Sequence, residues 1–206
     1  MKLVAVSLLL AISLAGGADG HRLDEYLQAT LIGVTRDGVD LEINLTPGIA
    51  VLPAVMAEID RNRDGRISPE EEQAYSTEVI RDLELRVDGK VVPLRLIGSR
   101  FPSVEDMREG LGTIRLNLHT DSSGHELRFE NRHMQKVSVY LVNCLASGDS
   151  GLLAGSPIRA EDQRSIRFTY SFANSSSWPA QGTFWIAGIG MVTIARLALR
   201  RQTGRG

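Results

Sequence analysis

Apolar and polar residues alternate along most of the chain between positions 23 and 172. A period of two is the pattern of strands with one face buried and one face wet. "EYLQATLIGV" and "GVDLEINLT" flank "TRDG", which reads as a hairpin turn. A second hairpin signal lies in "LELRVDGKVVPLRLI". Asp88 and Gly89 occupy its turn, and Leu85, Val87, Val92, Leu94 and Leu96 fall on alternating places. "TIRLNLHT", "HELRFEN", "VSVYLVN" and "SIRFTYSF" add further strands. "FPSVEDMREG" and "GDSGLLAGSPIRAED" read as loops with a turn of helix at most. About eight short strands separated by frequent turn signals predict a mainly β fold, a β-sandwich.

One segment, 48–82, breaks the alternation. Ile49, Leu52, Val55, Met56 and Ile59 follow three- and four-residue spacing, the stripe of an amphipathic helix. Further on, Ser68 stands before Pro69 and three places before Glu71. That is a capping box with Pro at the first helical position, where its missing N–H costs nothing. Tyr75, Val79 and Leu83 continue a second stripe. A helix–loop–helix is therefore predicted as an insert between the second and third strands.

Between the two helices lies "DRNRDGRISPEE", residues 60–71. Calcium takes six to eight oxygen ligands, and this spacing supplies them in the order of an EF-hand loop. Asp60, Asn62 and Asp64 offer side-chain oxygens at places one, three and five. Arg66 at place seven offers its backbone carbonyl. Ser68 at place nine ligates directly or through water, and Glu71 at place twelve binds with both oxygens. Gly65 permits the sharp bend, and Ile67 is the apolar residue that packs the loop onto its neighbour. Four carboxylates against three arginines leave the loop with a net charge of −1. Arg61, Arg63 and Arg66 take places that present no side-chain ligand, so they weaken the site without removing it. The expected affinity is that of extracellular modules, about 10⁻⁴ to 10⁻³ M.

The ends of the chain differ from its middle. "MKLVAVSLLLAISLAGGADG" has a positive start at Lys2, an apolar run over 3–14 and then small residues, the layout of a secretory signal peptide. Residues 1–18 are read as that peptide, with cleavage after Ala18 and with Ala15 and Gly20 as alternatives. Residues 19–172 are then the extracytoplasmic domain. "SSSWPAQG" falls in a linker, 173–182. Residues 183–199 are apolar except for Arg196 and cover about 25 Å as a helix. A transmembrane helix is expected over 183–200, with Trp178 and Trp185 near one interface. The tail 201–206 belongs to an arginine-rich, acid-free stretch and is placed in the cytoplasm by the positive-inside rule. The expected location is the bacterial cell envelope, as a single-pass membrane protein with its main domain periplasmic or extracellular.

A net charge of −2, with no basic patch before the final residues, excludes nucleic acid as an expected partner. Cys144 lies in the apolar run "VSVYLVNCL" and reads as a buried structural thiol. His119, His125 and His133 fall near strand ends without zinc spacing and read as surface histidines. His21 differs, because cleavage after Ala18 would leave a "DGH" terminus. An amine, two amides and an imidazole there suit Cu(II) or Ni(II) in a square plane. No nucleophile elbow, P-loop or H-E-x-x-H is present. Asp106 and Glu109 are the one candidate carboxylate pair, and the chain is read as a non-enzyme.

"HRLDEYLQATLIGV", "DLEINLTPGIAV", the loop, and "VDGKVVPLRLI" with "LGTIRLNLHT" together resemble a known module. It is the extracytoplasmic domain at the front of HupE/UreJ-like bacterial membrane proteins, many of them held to be nickel or cobalt transporters. The resemblance covers roughly residues 21–172. It implies a domain that starts with His just after the signal peptide and is interrupted by an EF-hand-like segment. Those proteins continue into several membrane spans, whereas one candidate span is read here, so transport is not carried over. The expected function is a calcium-binding, membrane-anchored interaction module in which Ca²⁺ is structural and another envelope component is the partner. The second expectation is an accessory nickel- or copper-binding protein serving a membrane metal transporter.

Overall fold

The computed structural model describes residues 24–145 and 152–172. The expected signal peptide, His21, the expected linker, the candidate membrane helix and the basic tail lie outside them. Among the described residues no helix is long and apolar enough to cross a membrane.

Two sheets carry the fold. The first strands are β1 (Tyr26–Val34) and β2 (Val39–Pro47). They form the expected hairpin, closed where Thr35 N–H donates to Gly38 O at 2.9 Å. Two helices follow, α1 (Leu52–Ile59) and α2 (Pro69–Arg81). Then come β3 (Leu83–Val87), β4 (Lys90–Val91), β5 (Arg95–Arg100) and a short helix α3 (Val104–Arg108). The remaining strands are β6 (Ile114–Thr120), β7 (Glu126–Asn131), β8 (Ser138–Leu145), β9 (Leu152–Ala154), β10 (Ile158–Arg159) and β11 (Ser165–Phe172). One sheet runs β5-β6-β2-β1-β8. The other runs β10-β11-β7-β3-β4, with β9 also paired to β11. All pairings are antiparallel except β1 with β8, which is parallel.

Alternation decides which face is buried. Val39, Leu41, Ile43 and Leu45 of β2 point inward with Ile114, Leu116 and Leu118 of β6. From the other sheet come Leu83, Leu85, Leu127, Phe129, Ile166, Phe168 and Tyr170. These side chains form one core, so the arrangement is consistent with a β-sandwich. The helix–loop–helix is inserted between β2 and β3, as its spacing predicts. Leu52, Val55 and Ile59 of α1 and Tyr75 and Val79 of α2 join the same core. Ile49 does not. It precedes the helix and is 43% exposed.

The second hairpin is shorter than the alternation suggests. Asp88 and Gly89 both have positive φ, 49° and 78°, the geometry of a tight two-residue turn. Asp88 Oδ1 accepts the N–H groups of His125 and Glu126 at 2.9 and 2.8 Å, first among the causes that lower its pKa. Beyond Val92 the pairing stops at Pro93, which has no N–H to give. The chain then crosses to the other sheet, where Leu96 of β5 lies opposite Leu118. The segment expected to be loop contains β9 and β10, strands of three and two residues.

Position relative to the core sets the cost of a substitution. Ile43→Ala, at a fully buried site, is expected to lose about 2–5 kcal/mol in chemical denaturation. Leu27→Ala, on the outer face of β1 and 41% exposed, is expected to lose under about 1 kcal/mol. Equal losses would mean that the two faces are assigned wrongly.

Candidate metal site

The loop between α1 and α2 is built from its own backbone outward. Arg63 and Gly65 have φ of 61° and 80°. These two left-handed residues bend the chain so that alternate side chains turn to one side. Nothing lies within 4 Å of the Cβ that Gly65 lacks, so glycine is required there by conformation and not by space. Ile67 packs against the core, as expected from its place in the loop.

Oxygen atoms gather inside this bend. Asp60 Oδ1 and Asn62 Oδ1 accept the same N–H, that of Asp64, at 3.1 and 2.8 Å. Asp60 Oδ2 accepts from Gly65 N–H at 2.9 Å. Asp64 Oδ1 accepts from Arg66 N–H at 2.8 Å, and its Oδ2 from the Asn62 amide at 3.1 Å. Glu71 reaches across the loop. Its Oε1 accepts from the N–H groups of Arg61 and Asn62 at 3.1 and 3.4 Å. Its Oε2 accepts from Ser68 N–H at 3.0 Å and from the Ser68 hydroxyl at 2.9 Å. Ser68 Oγ in turn accepts Glu71 N–H, completing the capping box. The bonds from Ser68, backbone first, lower the pKa of the Glu71 carboxyl, with smaller help from Asn62 and Arg61.

Arg61, Arg63 and Arg66 are all exposed. Arg61 turns away to pair with Glu78 on α2. Among the described residues no cationic side chain pairs with Asp60, Asp64 or Glu71, although Asp60 and Glu71 are only 8% and 9% exposed. Nearly buried carboxylates are ordinarily paired with a cation or bound to a metal. No three His, Cys, Asp or Glu side chains among the described residues are gathered to hold a metal by themselves. The loop's donors are instead a mixture of carboxylate, amide, hydroxyl and carbonyl oxygens, the hard set that calcium accepts. Asp60, Asn62, Asp64, Ser68 and Glu71 fit such an ion by chemistry and order, with the Arg66 carbonyl between them.

The insert is fastened to the sandwich by a buried polar chain. The Tyr26 and Tyr75 hydroxyls lie 2.6 Å apart. Tyr75 Oη is 3.1 Å from His133 Nε2, and His133 Nδ1 is 2.8 Å from Asp82 Oδ2. The Asp82 carboxylate accepts from Nδ1–H, so Nε2 is left to accept from Tyr75 and Tyr75 to accept from Tyr26. The opposite order would leave the Tyr26 proton without an acceptor in the core. Burial raises the pKa of both tyrosines. His133 itself is held on every side. Its carbonyl accepts from Gln28 and from the Tyr140 hydroxyl, both at 2.8 Å, and its N–H donates to Asn131 Oδ1 at 2.9 Å.

His133 is therefore not the surface histidine that its place near a strand end suggests. It is 4% exposed, because residues far away in sequence fold over it. His119 is also engaged, with Nδ1 at 2.7 Å from Asp40 and Nε2 at 3.0 Å from Asp121. His125 stays on the surface. Cys144 is half-buried, and burial raises its thiol pKa. Asp106 is drawn into a cap, accepting from the Ser103 hydroxyl at 2.7 Å.

Two outcomes are expected in ion-free protein. Ser68→Ala removes the hydroxyl half of the capping box, leaving the bond from the residue 68 N–H to Glu71, and should lower unfolding stability by about 0.5–2 kcal/mol in urea titrations. His119 has its pKa raised, chiefly by the bond to Asp40 and then by that to Asp121. Its stabilising contribution is thus full below the ordinary histidine value of about 6.5 and is lost as pH rises through the higher folded value. The stability difference between wild type and His119→Gln should shrink over that rise; a constant difference would remove the charge-assisted bonds from the account. No family model, no curated protein and no solved structure matches the chain.

Proposed function

We propose that this chain is a calcium-binding extracytoplasmic module, anchored to a bacterial membrane by its C-terminal helix. Its helix–loop–helix acts as an EF-hand, and the ion staples this insert onto the sandwich that meets another envelope component. One observation carries the reading. Asp60 and Glu71 are nearly buried and held only by N–H and hydroxyl groups of their own loop, without a cationic partner, while the three arginines of that loop are exposed. A site that excludes its own cations and keeps its carboxylates is complementary to an external one. The resemblance to the front domain of HupE/UreJ-like proteins agrees with this reading.

A structural role for the ion is favoured over a signalling one. The loop is already closed by hydrogen bonds from its own N–H groups, so binding replaces donors around a formed bend. Arg61 is neutralised by Glu78 outside the loop, which softens the penalty of its charge. Arg63 and Arg66 still oppose the ion at longer range, which keeps the affinity in the weak class. The sequence holds one such loop and no partner loop for it.

Calorimetry should give one calcium site with Kd of about 10⁻⁴ to 10⁻³ M. At a hundredfold excess over Kd, calcium should add about 2.7 kcal/mol to unfolding stability, and chelator should remove it. Asp60→Ala and Glu71→Ala should each abolish both effects. A wild-type protein with neither binding heat nor a calcium-dependent melting shift would sink the proposal.

A further inference from the structure

We infer that Tyr75 and His133 are positioning residues for the calcium loop: they hold α2, and through it Glu71, in ligating posture before the ion arrives. The inference rests on the calcium reading above and adds the device that sets the site's affinity.

The geometry is that of a two-point clamp. Glu71 is the third residue of α2, and Tyr75 lies four residues on, one turn along the same side of the helix. Tyr75 bonds to the sandwich through Tyr26 on β1 and through His133. Seven residues further, Asp82 closes the helix and bonds the other nitrogen of the same imidazole. One buried ring therefore grips two points on a single helix, two turns apart. Arg132 N–H adds a bond to Asp82 O at 2.9 Å. The clamp cannot drift, because Gln28, Asn131 and Tyr140 fix the backbone of His133.

The other helix is held differently. α1 has no side-chain cap and buries only Leu52, Val55 and Ile59. Apolar packing is non-directional and allows small slides, whereas hydrogen bonds at two points fix rotation about the helix axis. The loop thus has a fixed wall, carrying Ser68 and Glu71, and an adjustable wall, carrying Asp60. A ligand held in place before binding loses little freedom when the ion arrives, and affinity rises by that saving. Loss of the Tyr75 hydroxyl keeps the ring, which still packs edge-on against Phe101, but frees α2 to rotate. Glu71 would then be ordered at the expense of ion binding. The negative charge of Asp82 acts at the far end, since it selects the Nδ1–H form of His133 on which the donor order depends.

The test is calcium calorimetry at 25 °C on the full chain, with melting followed in chelator. The variants are Tyr75→Phe, Asp82→Asn and Tyr170→Phe. Tyr170 is a control, a buried tyrosine of the sandwich whose hydroxyl accepts from Gly124 N–H, away from the insert. Tyr75→Phe should weaken calcium binding about five- to tenfold, and Asp82→Asn about two- to fivefold. Tyr170→Phe should lower the melting temperature and leave Kd unchanged. A Kd for Tyr75→Phe within twofold of wild type would overturn the inference, as would equal weakening by Tyr170→Phe. If Tyr75→Phe does not fold, Asp82→Asn decides by the same criterion, because its side chain is 42% exposed. A wild type that binds no calcium removes the calcium reading and this inference with it; unchanged variants beside a binding wild type remove the inference alone.

Discussion

Where the helical insert meets the sandwich, polar groups have been taken out of water, and each must find a partner there. Strand β1 shows the constraint best. Its inner face carries Ile32 and Val34 at one end but Tyr26, Gln28 and Thr30 at the other, all buried. An unpartnered group of this kind costs about 1–3 kcal/mol, a large part of a domain's net stability. Gln28 answers by donating to Ser138 Oγ at 2.6 Å and to His133 O, and by accepting from Asn131. Among the described residues every fully buried side-chain nitrogen or oxygen has a partner. These pairings fasten the connection from β7 to β8, which carries the chain from one sheet to the other. They also give the insert directional anchors, where apolar contact alone would leave its angle loosely defined.

The loop follows the same rule with charge in place of hydrogen bonding. Its Asp60 and Glu71 carboxylates are nearly buried and are met only by N–H and hydroxyl dipoles of the protein. Its guanidiniums face water or, for Arg61, a glutamate on the next helix. Dipoles can hold a carboxylate ionised, as the lowered pKa of Glu71 indicates, but they do not cancel its charge. A divalent cation would. The bend that gathers these oxygens depends on Arg63 and Gly65, and the helix that delivers Glu71 depends on the polar junction beneath it. The site and the scaffold are thus one mechanical unit, which suits an ion that stiffens better than an ion that switches. On the outer face of the sheet the ion pairs around His119, Arg95 and Asp121 are exposed and contribute far less.

Much of this was legible from residue order alone. Period-two burial picks out β1, β2, β3, β6, β7 and β11, because a strand with one wet face must alternate. The box around Ser68, Pro69 and Glu71 is local chemistry and folds as written. The run through Leu94 and Leu96 misleads because alternation does not say which sheet a strand joins, and Pro93 sends it to the other one. β9 and β10 are too short and too exposed to leave a pattern. The same holds for His133, whose partners stand 51, 58 and 105 residues away.

The sequence by itself determined the alternation that makes two half-buried sheets, the caps and turns, and the order of oxygen donors from Asp60 to Glu71. Each of these depends on neighbours within about a dozen residues, where bond geometry leaves little choice. Only the tertiary structure decided that the arginines lack inward partners, that β1 and β8 run parallel, and that one buried imidazole bonds at two points to the helix carrying Glu71. Those features come from groups brought together by collapse, and their identity is set by which polar atoms would otherwise be left unpaired.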